Sequence, residues 1–386
     1  MINPIVESDI QELVQSKKYF EPFVGSAVLV TGATGLLGSL IIKSLSRYTV
    51  DNNKDIKIYA CCRNIEKFYS VFEGYSGIVP ITSDICSLDI QQYDVDYIVH
   101  AASPTDSKSF VEKPVDTVVT ATAGTNNLLA QCIGKPIKGF VYLSSLEVYG
   151  SFPDFAGIKN VTETEYGYID PVSARSSYSE GKRLVETLCK AYQSQFGVPV
   201  KIARLCQTFG AGVQYNDNRV FAQFARSVIE GKDIVLKTKG DTTRNYCYTT
   251  DAITGILTVL AKGNVGEAYN VANKDTTVSI ADMADLFCNL YPKSRTKVIF
   301  DIAEDAEKLG YNPVVKLQLD SSKVEKLGWI AGVGLKEMIH RLIDSLLPSE
   351  SVNIVVPFVD ALSKDTVYTN ILNVIEILVS SLTTNV

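Results

Sequence analysis

Histidine is nearly absent from this chain: His100 and His340 are the two it has, which excludes a histidine-rich metal centre. Long apolar runs are missing as well. No stretch reaches the roughly 20 consecutive apolar residues that a membrane-crossing helix requires. Met1 to Phe20 carries Glu7, Asp9, Glu12, Lys17 and Lys18 without an apolar h-region, so a secretory leader is not expected. Charge of one sign is not concentrated anywhere. The 37 basic residues are scattered among 43 acidic ones, giving a net charge of −6, which argues against nucleic acid and anionic membrane surfaces as partners. Any phosphate must therefore be met by local positive charge. The eight cysteines show neither metal-ligand nor disulfide-framework spacing, and Cys61 and Cys62 are adjacent within an apolar run. They read as reduced thiols, and the protein as cytoplasmic.

What remains is an ordinary globular composition. The 386 residues are 46% hydrophobic and 21% charged, enough for one large or two moderate domains with a sizeable core. From Ala27 to about Leu205, short β-branched runs alternate with longer amphipathic segments. The runs are Ala27 to Thr31, Ile56 to Cys61, Ile78 to Thr82, Tyr97 to His100, Gly139 to Ser144 and Val200 to Leu205. They are continuously apolar, as strands are when helices cover both faces of a sheet. The rhythm predicts an α/β fold with a doubly wound parallel sheet of Rossmann type.

After Leu205 the rhythm loosens. Helices are predicted at Val220 to Glu230 and Ile280 to Leu290, with short strands at Ile234 to Leu236 and Ala268 to Val271. This suits a smaller α/β substrate-binding cap. The expected division is a dinucleotide-binding domain over 1–205, with 245–273 returning to it, a cap over 206–347, and a tail over 348–386. In the tail Ile371, Leu372, Ile375, Leu378 and Leu382 fall at helical spacing.

Thr31 to Gly38 reads Thr-Gly-Ala-Thr-Gly-Leu-Leu-Gly between a buried strand and a helix. The first glycine, Gly32, permits a tight turn, Gly35 lets backbone approach a pyrophosphate, and Gly38 allows close helix packing. The helix N-terminus adds partial positive charge, so the segment predicts dinucleotide binding. An acid at the end of the second strand would favour NAD, but Tyr59-Ala60-Cys61-Cys62-Arg63-Asn64 has none. Arg63 can instead meet a 2′-phosphate, so NADP is favoured over NAD. Asp84 is placed either to meet the adenine amino group or to cap its own loop.

Tyr178 and Lys182 are four residues apart in Tyr-Ser-Glu-Gly-Lys, on one face of a predicted helix. A phenol titrates near pH 10, and Lys182 together with an oxidised nicotinamide would supply the positive charge that makes it a base. The fifth strand ends in Ser144-Ser145-Leu146-Glu147-Val148-Tyr149-Gly150, which delivers hydroxyls to the carboxyl edge of the sheet where ligands bind.

With these motifs and His-Ala-Ala at 100–102, the chain resembles the extended short-chain dehydrogenase/reductases, the NAD-dependent epimerase/dehydratases of nucleotide sugars, over roughly Ala27 to Leu347. The resemblance implies Tyr178 as proton acceptor, Ser145 as partner of the sugar C4 hydroxyl, and Lys182 as anchor of the nicotinamide ribose. It implies cofactor contacts from Thr31, Gly32, Thr34, Gly35, Leu36, Leu37 and Gly38, then from Arg63, Asn64, Asp84, Ile85, Ala101, Ala102 and Ser103, and from Tyr178, Lys182 and Arg204. For the nucleotide-sugar substrate it implies Ser103, Ser145, Leu146, Glu147, Gln207, Arg219 and Arg244. It also implies a homodimer, in which the Tyr178 helix and the helix around Val115 to Gln131 pair across a twofold axis.

Within the family, Glu147 stands where dehydratases and nucleotide-sugar acid decarboxylases place a base for C5. Arg175 to Arg183 is similar to the corresponding helix of UDP-glucuronate decarboxylases. Leu146 departs from the hexose 4,6-dehydratases, which carry an acid there; leucine has no proton to give. Gln207, Ala211 and Ala121 depart from the family's asparagine, proline and asparagine. A salt-bridged loop carboxylate is the alternative reading of Glu147. Three functions follow from the sequence: an epimerase, dehydratase or decarboxylase working through C4 oxidation in polysaccharide precursor synthesis; a reductase that consumes NADPH on a nucleotide-linked keto sugar; or a catalytically silent binding protein that kept the fold.

Overall fold

The computed structural model describes residues 3–103, 107–303 and 314–347. The tail predicted over 348–386 lies outside them. The chain lays down β1 (Ser26–Thr31), β2 (Ile56–Cys62), β3 (Ile78–Thr82), β4 (Tyr97–His100) and β5 (Gly139–Ser145). There follow β6 (Lys159–Val161), β7 (Val200–Leu205), β8 (Gln207–Phe209), β9 (Ile234–Leu236) and β10 (Thr243–Arg244). The last strands are β11 (Tyr246–Tyr248), β12 (Ala268–Val271), β13 (Val278–Ser279), β14 (Val298–Phe300) and β15 (Leu317–Leu319).

Seven of these form one parallel sheet in the order β12-β7-β5-β4-β1-β2-β3. Strands β1 and β7 are buried along their whole length, as their unbroken apolar runs require of a sheet covered on both faces. The strand order reverses at β1, with β2 on one side and β4 on the other. The carboxyl ends of β1 and β4 therefore open a crevice, the position where doubly wound sheets bind ligands.

The helices are α1 (Pro4–Gln15), α2 (Leu36–Asp51), α3 (Ile65–Val71), α4 (Ser107–Glu112), α5 (Pro114–Gln131) and α6 (Ser177–Phe196). After them come α7 (Val220–Glu230), α8 (Thr249–Lys262), α9 (Ile280–Leu290), α10 (Ser322–Glu325) and α11 (Leu335–Leu346). Local signals set several of their ends. The Asn3 side chain accepts from the N–H groups of Ile5 and Val6, with Pro4 at the first helical position of α1. Ser279 caps α9 by accepting from the Asp282 N–H at 3.0 Å. Gly197 and Gly231 end α6 and α7 in the left-handed conformation.

Two apolar cores lie on the faces of the sheet. One gathers α1, α2 and α8 and takes in Trp329, whose indole N–H donates to the Asp251 carbonyl and the Thr254 hydroxyl. The other packs α5 and α6 against β4 and β5. A third core, built from Phe209, Phe221, Phe224, Tyr246, Tyr248, Met283, Phe287 and the buried face of α11, belongs to the smaller α/β portion. Helix α8 and strand β12 return to the main sheet, and Leu317, Leu319 and Val324 also pack into the first core. No helix among the described residues is long and apolar enough to cross a membrane.

Candidate active site

The turn after β1 is shaped by contacts that leave no room for side chains. Gly32 has φ +66°, and a Cβ there would sit 2.8 Å from the Ala101 carbonyl oxygen. A Cβ on Gly38 would lie 2.3 Å from the Gly32 carbonyl oxygen. Both glycines are required by this packing, not only by conformational freedom. Helix α2 begins at Leu36 with no side-chain cap, so its first backbone N–H groups face the crevice ends of β1 and β4 without a competing hydroxyl or carboxylate. A pyrophosphate fits this cradle.

A buried chain of hydrogen bonds fixes the crevice floor. The Ala102 N–H donates to Thr31 Oγ1 at 3.3 Å, and Thr31 Oγ1 meets His100 Nδ1 at 2.7 Å. His100 Nε2 meets Thr125 Oγ1 at 2.9 Å, and the Thr125 hydroxyl donates to the Ala121 carbonyl. With the Thr125 proton already used, His100 must donate from Nε2 and accept at Nδ1; the network assigns the tautomer. Burial, with the Lys182 charge adding to it, lowers His100 to about 3, so the ring is neutral. It is a structural tie beneath Ala101 and Ala102.

The expected cofactor contacts divide. Arg63 is exposed just past β2, and among the described residues it has no ion-pair partner. Asn64 caps α3 by accepting from the Lys67 N–H. Asp84 accepts from the Cys86 N–H at 2.9 Å, the loop-capping arrangement. Ile85 is buried, and a Cβ on Gly124 would press on its side chain. Ser103 closes the described part of the loop after β4.

Arg204 is the residue the structure moves. Expected at the cofactor, it is buried on β7, beyond β5 and away from the crevice between β1 and β4. All five of its N–H donors are engaged: with Glu186, with the Tyr149 and Tyr166 hydroxyls, and with the Glu163 carbonyl.

The centre itself forms where β5 meets the start of α6. Tyr178 is stacked on Phe110, with ring centroids 4.2 Å apart and planes at 15°. Burial pushes its phenol above the ordinary tyrosine range, and the nearby Glu147 adds to this. The Ser145 hydrogen bond and the charges of Arg175 and Arg219 pull it back. One turn on, Lys182 Nζ is buried, donates to the Leu143 carbonyl at 2.8 Å, and lies 5.6 Å from the Tyr178 ring centre. Burial lowers Lys182 to about 7, against the opposing pull of Glu186 and Cys189.

Glu147 lies at the mouth of this centre. Arg175 grips it with two bonds of 3.1 and 3.0 Å, and the Ser179 hydroxyl donates to it at 2.8 Å. Its own N–H donates to Ser145 Oγ at 3.2 Å. Glu147, Arg175 and Ser179 line a cavity of about 440 Å³ together with Leu146, Arg244 and Leu317. Leu146 is otherwise buried in the sheet core. Arg244 and Arg175 each keep a buried Nε without a hydrogen-bond partner among the described residues. Gln207 is half-buried on β8, and Arg219 is held by Asp217 at the start of α7. Sequence reasoning missed Arg175 and Glu186 as site residues. Glu186 carried a local signal, lying one helical turn beyond Lys182, whereas the Arg175 pairing spans two elements.

Residues 28–272 match the NAD dependent epimerase/dehydratase family. Among curated relatives, UDP-glucuronic acid decarboxylase 1 of Xenopus tropicalis is 30% identical over 82% of this chain and 71% of its own length. The dTDP-D-glucose 4,6-dehydratase of Dictyostelium discoideum is 27% identical over 68% of this chain and 62% of its own length. Among solved structures, UDP-glucuronic acid 4-epimerase from Bacillus cereus, in complex with UDP-glucuronic acid and NAD, superposes with a TM-score of 0.69. It is 23% identical and covers 83% of this chain and 98% of that one, a likeness of fold. The glycine cradle, the Ser145–Tyr178–Lys182 centre and these matches lead to one statement: the chain belongs to the NAD dependent epimerase/dehydratase family of nucleotide-sugar enzymes.

Proposed function

We propose that this enzyme oxidises C4 of a nucleotide-linked sugar acid, with UDP-glucuronate decarboxylation as the leading reaction, and works in polysaccharide precursor synthesis. The observation that carries the choice is the cavity beside Glu147, where Arg175 and Arg244 each hold a buried Nε with no partner among the described residues. Orphaned guanidinium donors suit an anionic group on the substrate, since an unsatisfied buried donor is costly. The named activities of the curated relatives support the same substrate class.

A nicotinamide cofactor, held by the glycine turn after β1 and by Lys182, would supply the hydride acceptor and donor at C4. The chain's residues do the rest. Ser145 orients the C4 hydroxyl, and Tyr178 takes its proton. Lys182, in its charged form, offsets the negative charge that develops on the phenol. In a hexuronic acid the C4 ketone is β to the carboxylate, so the C5–C6 bond can break with its electron pair passing towards the carbonyl oxygen. Carbon dioxide leaves and C5 takes a proton, giving a C4 ketone that the cofactor's hydride would reduce back to the alcohol. Glu147, aimed by Arg175 and Ser179, moves the proton at C5. Leu146 offers no acid to expel a hydroxyl, which disfavours dehydration.

The cofactor is NAD or NADP. Exposed Arg63, with no acid at the end of β2, favours NADP and keeps a second reading open, an NADPH-dependent reduction of a keto sugar. Exposed Val115 and Val119 on α5 and Leu184 on the neighbouring α6 support a homodimer through these helices. A concentration-independent monomer in sedimentation would contradict that. Eight free thiols suit the cytoplasm.

The test incubates the protein with UDP-, CDP-, dTDP- and GDP-sugars, with NAD, NADP or NADPH, and reads products by mass. Loss of carbon dioxide from UDP-glucuronate is expected. Gain of two hydrogens on a keto sugar, with NADPH consumed, would replace this reading by reduction. Glu147→Gln should slow conversion by about a hundredfold or more, the usual contribution of a proton-transfer group; an unchanged rate removes its role at C5.

A further inference from the structure

We propose that Glu186 is a positioning residue for the reaction, clamping the helix that carries Tyr178 and Lys182 to the strand end that carries Ser145 while holding a negative charge one turn past Lys182. This rests on the reading of Tyr178, Lys182 and Ser145 as the C4-oxidising centre.

Three elements meet at this carboxylate. Glu186 belongs to α6 and is buried, 8% exposed. From β5, the Ser144 hydroxyl donates to its Oε1 at 2.6 Å, and Ser144 directly precedes Ser145. From β7, Arg204 donates through Nε at 3.0 and 3.2 Å and through Nη2 at 2.7 Å. Tyr178, Lys182 and Glu186 are spaced four residues apart and so share one face of α6. A slip of α6 along β5 would break the Ser144 bond and separate Tyr178 from Ser145 together.

A buried ion pair is not in itself a reason for stability, because apolar residues of similar volume often serve as well. Its charge has a second use here. Lys182 is surrounded by Tyr142 and the Leu143 carbonyl on β5, His100 on β4, Tyr178 and Cys189 on α6, and Arg204 on β7 behind Glu186. His100 is neutral, and the tyrosines and Cys189 are held in their protonated forms by burial. Among the groups that act on Lys182, Glu186 is the one carboxylate and favours the ammonium form that burial opposes. A neutral lysine could not offset charge on the Tyr178 phenol.

The test measures Lys182 directly, by NMR titration of the full-length protein labelled in its lysine side chains, with the signal assigned by its loss in Lys182→Arg. Glu186→Gln should move the Lys182 midpoint down by about one pH unit or more. Glu186→Gln/Arg204→Met leaves no lone buried charge and, if the single variant does not fold, should titrate about one pH unit or more below Arg204→Met, a comparison that removes the carboxylate with Arg204 absent from both proteins. Glu186→Asp, which keeps the charge, should stay near the wild-type midpoint. A folded Glu186→Gln with a wild-type midpoint, or a folded double variant with the midpoint of Arg204→Met, would overturn the proposal. The midpoint is read without substrate, so failure to convert any nucleotide sugar is a separate result that bears on the proposed function.

Discussion

The proposed reaction asks Tyr178 to act as a base, and its surroundings alone do not make it basic. Burial and Glu147 raise its phenol, so the proton it must take from C4 depends on positive charge brought close to it, from Lys182 and from a bound oxidised nicotinamide. Lys182, at about 7, is near the edge of its own charged range. Each group near the centre thus has a task that can be separated by titration. His100 gives the clearest stability signal. It titrates near 6.5 in an unfolded chain and at about 3 in the fold, so the unfolded state takes up the proton first as pH falls. Stability should therefore drop from pH 6.5 towards 3. Between pH 7 and 5 this amounts to about 2 kcal/mol. His100→Gln should lose correspondingly less in urea midpoint over that interval; an identical pH dependence in both proteins would refute the neutral, buried ring.

At the scale of elements, the glycine turn and α2 work as one piece. A methyl group on Gly38 meets the Gly32 carbonyl at a distance no real contact shows, so Gly38→Ala must shift the helix or the turn. The expected result is a folded protein whose NAD affinity falls at least tenfold by calorimetry, since backbone placement sets phosphate binding. Undiminished affinity would mean the turn is not the pyrophosphate cradle. This element was legible in the sequence because its signal is contiguous: strand, three glycines, helix. Tyr178 and Lys182 were legible for the same reason, being one turn apart. A salt bridge at Glu147 was one of two readings open in the sequence, but its partner was not legible, because Arg175 lies on a separate element and meets it only when α6 docks on β5. Arg204 was misplaced for a related reason. Its position on β7 puts it beyond β5, and the strand order is a property of the whole sheet.

Across the whole molecule, the third core is tied to the sheet by polar contacts that no local pattern announces. Asp9 of α1 joins Tyr248 and Arg341, and Asp251 of α8 accepts from the Gly332 and Val333 N–H groups. The Asp9 bonds reach 239 and 332 residues along the chain, and the Asn245 side chain, bonded to the Leu319 backbone, joins the segment after β10 to β15, whose Leu317 lines the cavity beside Glu147 with Arg244. In the proposed reaction the glycine cradle binds the cofactor, the β5–α6 junction carries the chemistry, and the cavity selects the substrate. The central claim is that Tyr178 starts the reaction by taking the C4 proton. Its most direct test is mass analysis of UDP-glucuronate incubated with NAD and either the wild-type protein or folded Tyr178→Phe. Carbon dioxide loss is expected with the wild type, and a rate reduced by about a hundredfold or more in the variant, the usual contribution of a positioned acid–base group. Conversion at the wild-type rate by Tyr178→Phe would contradict it.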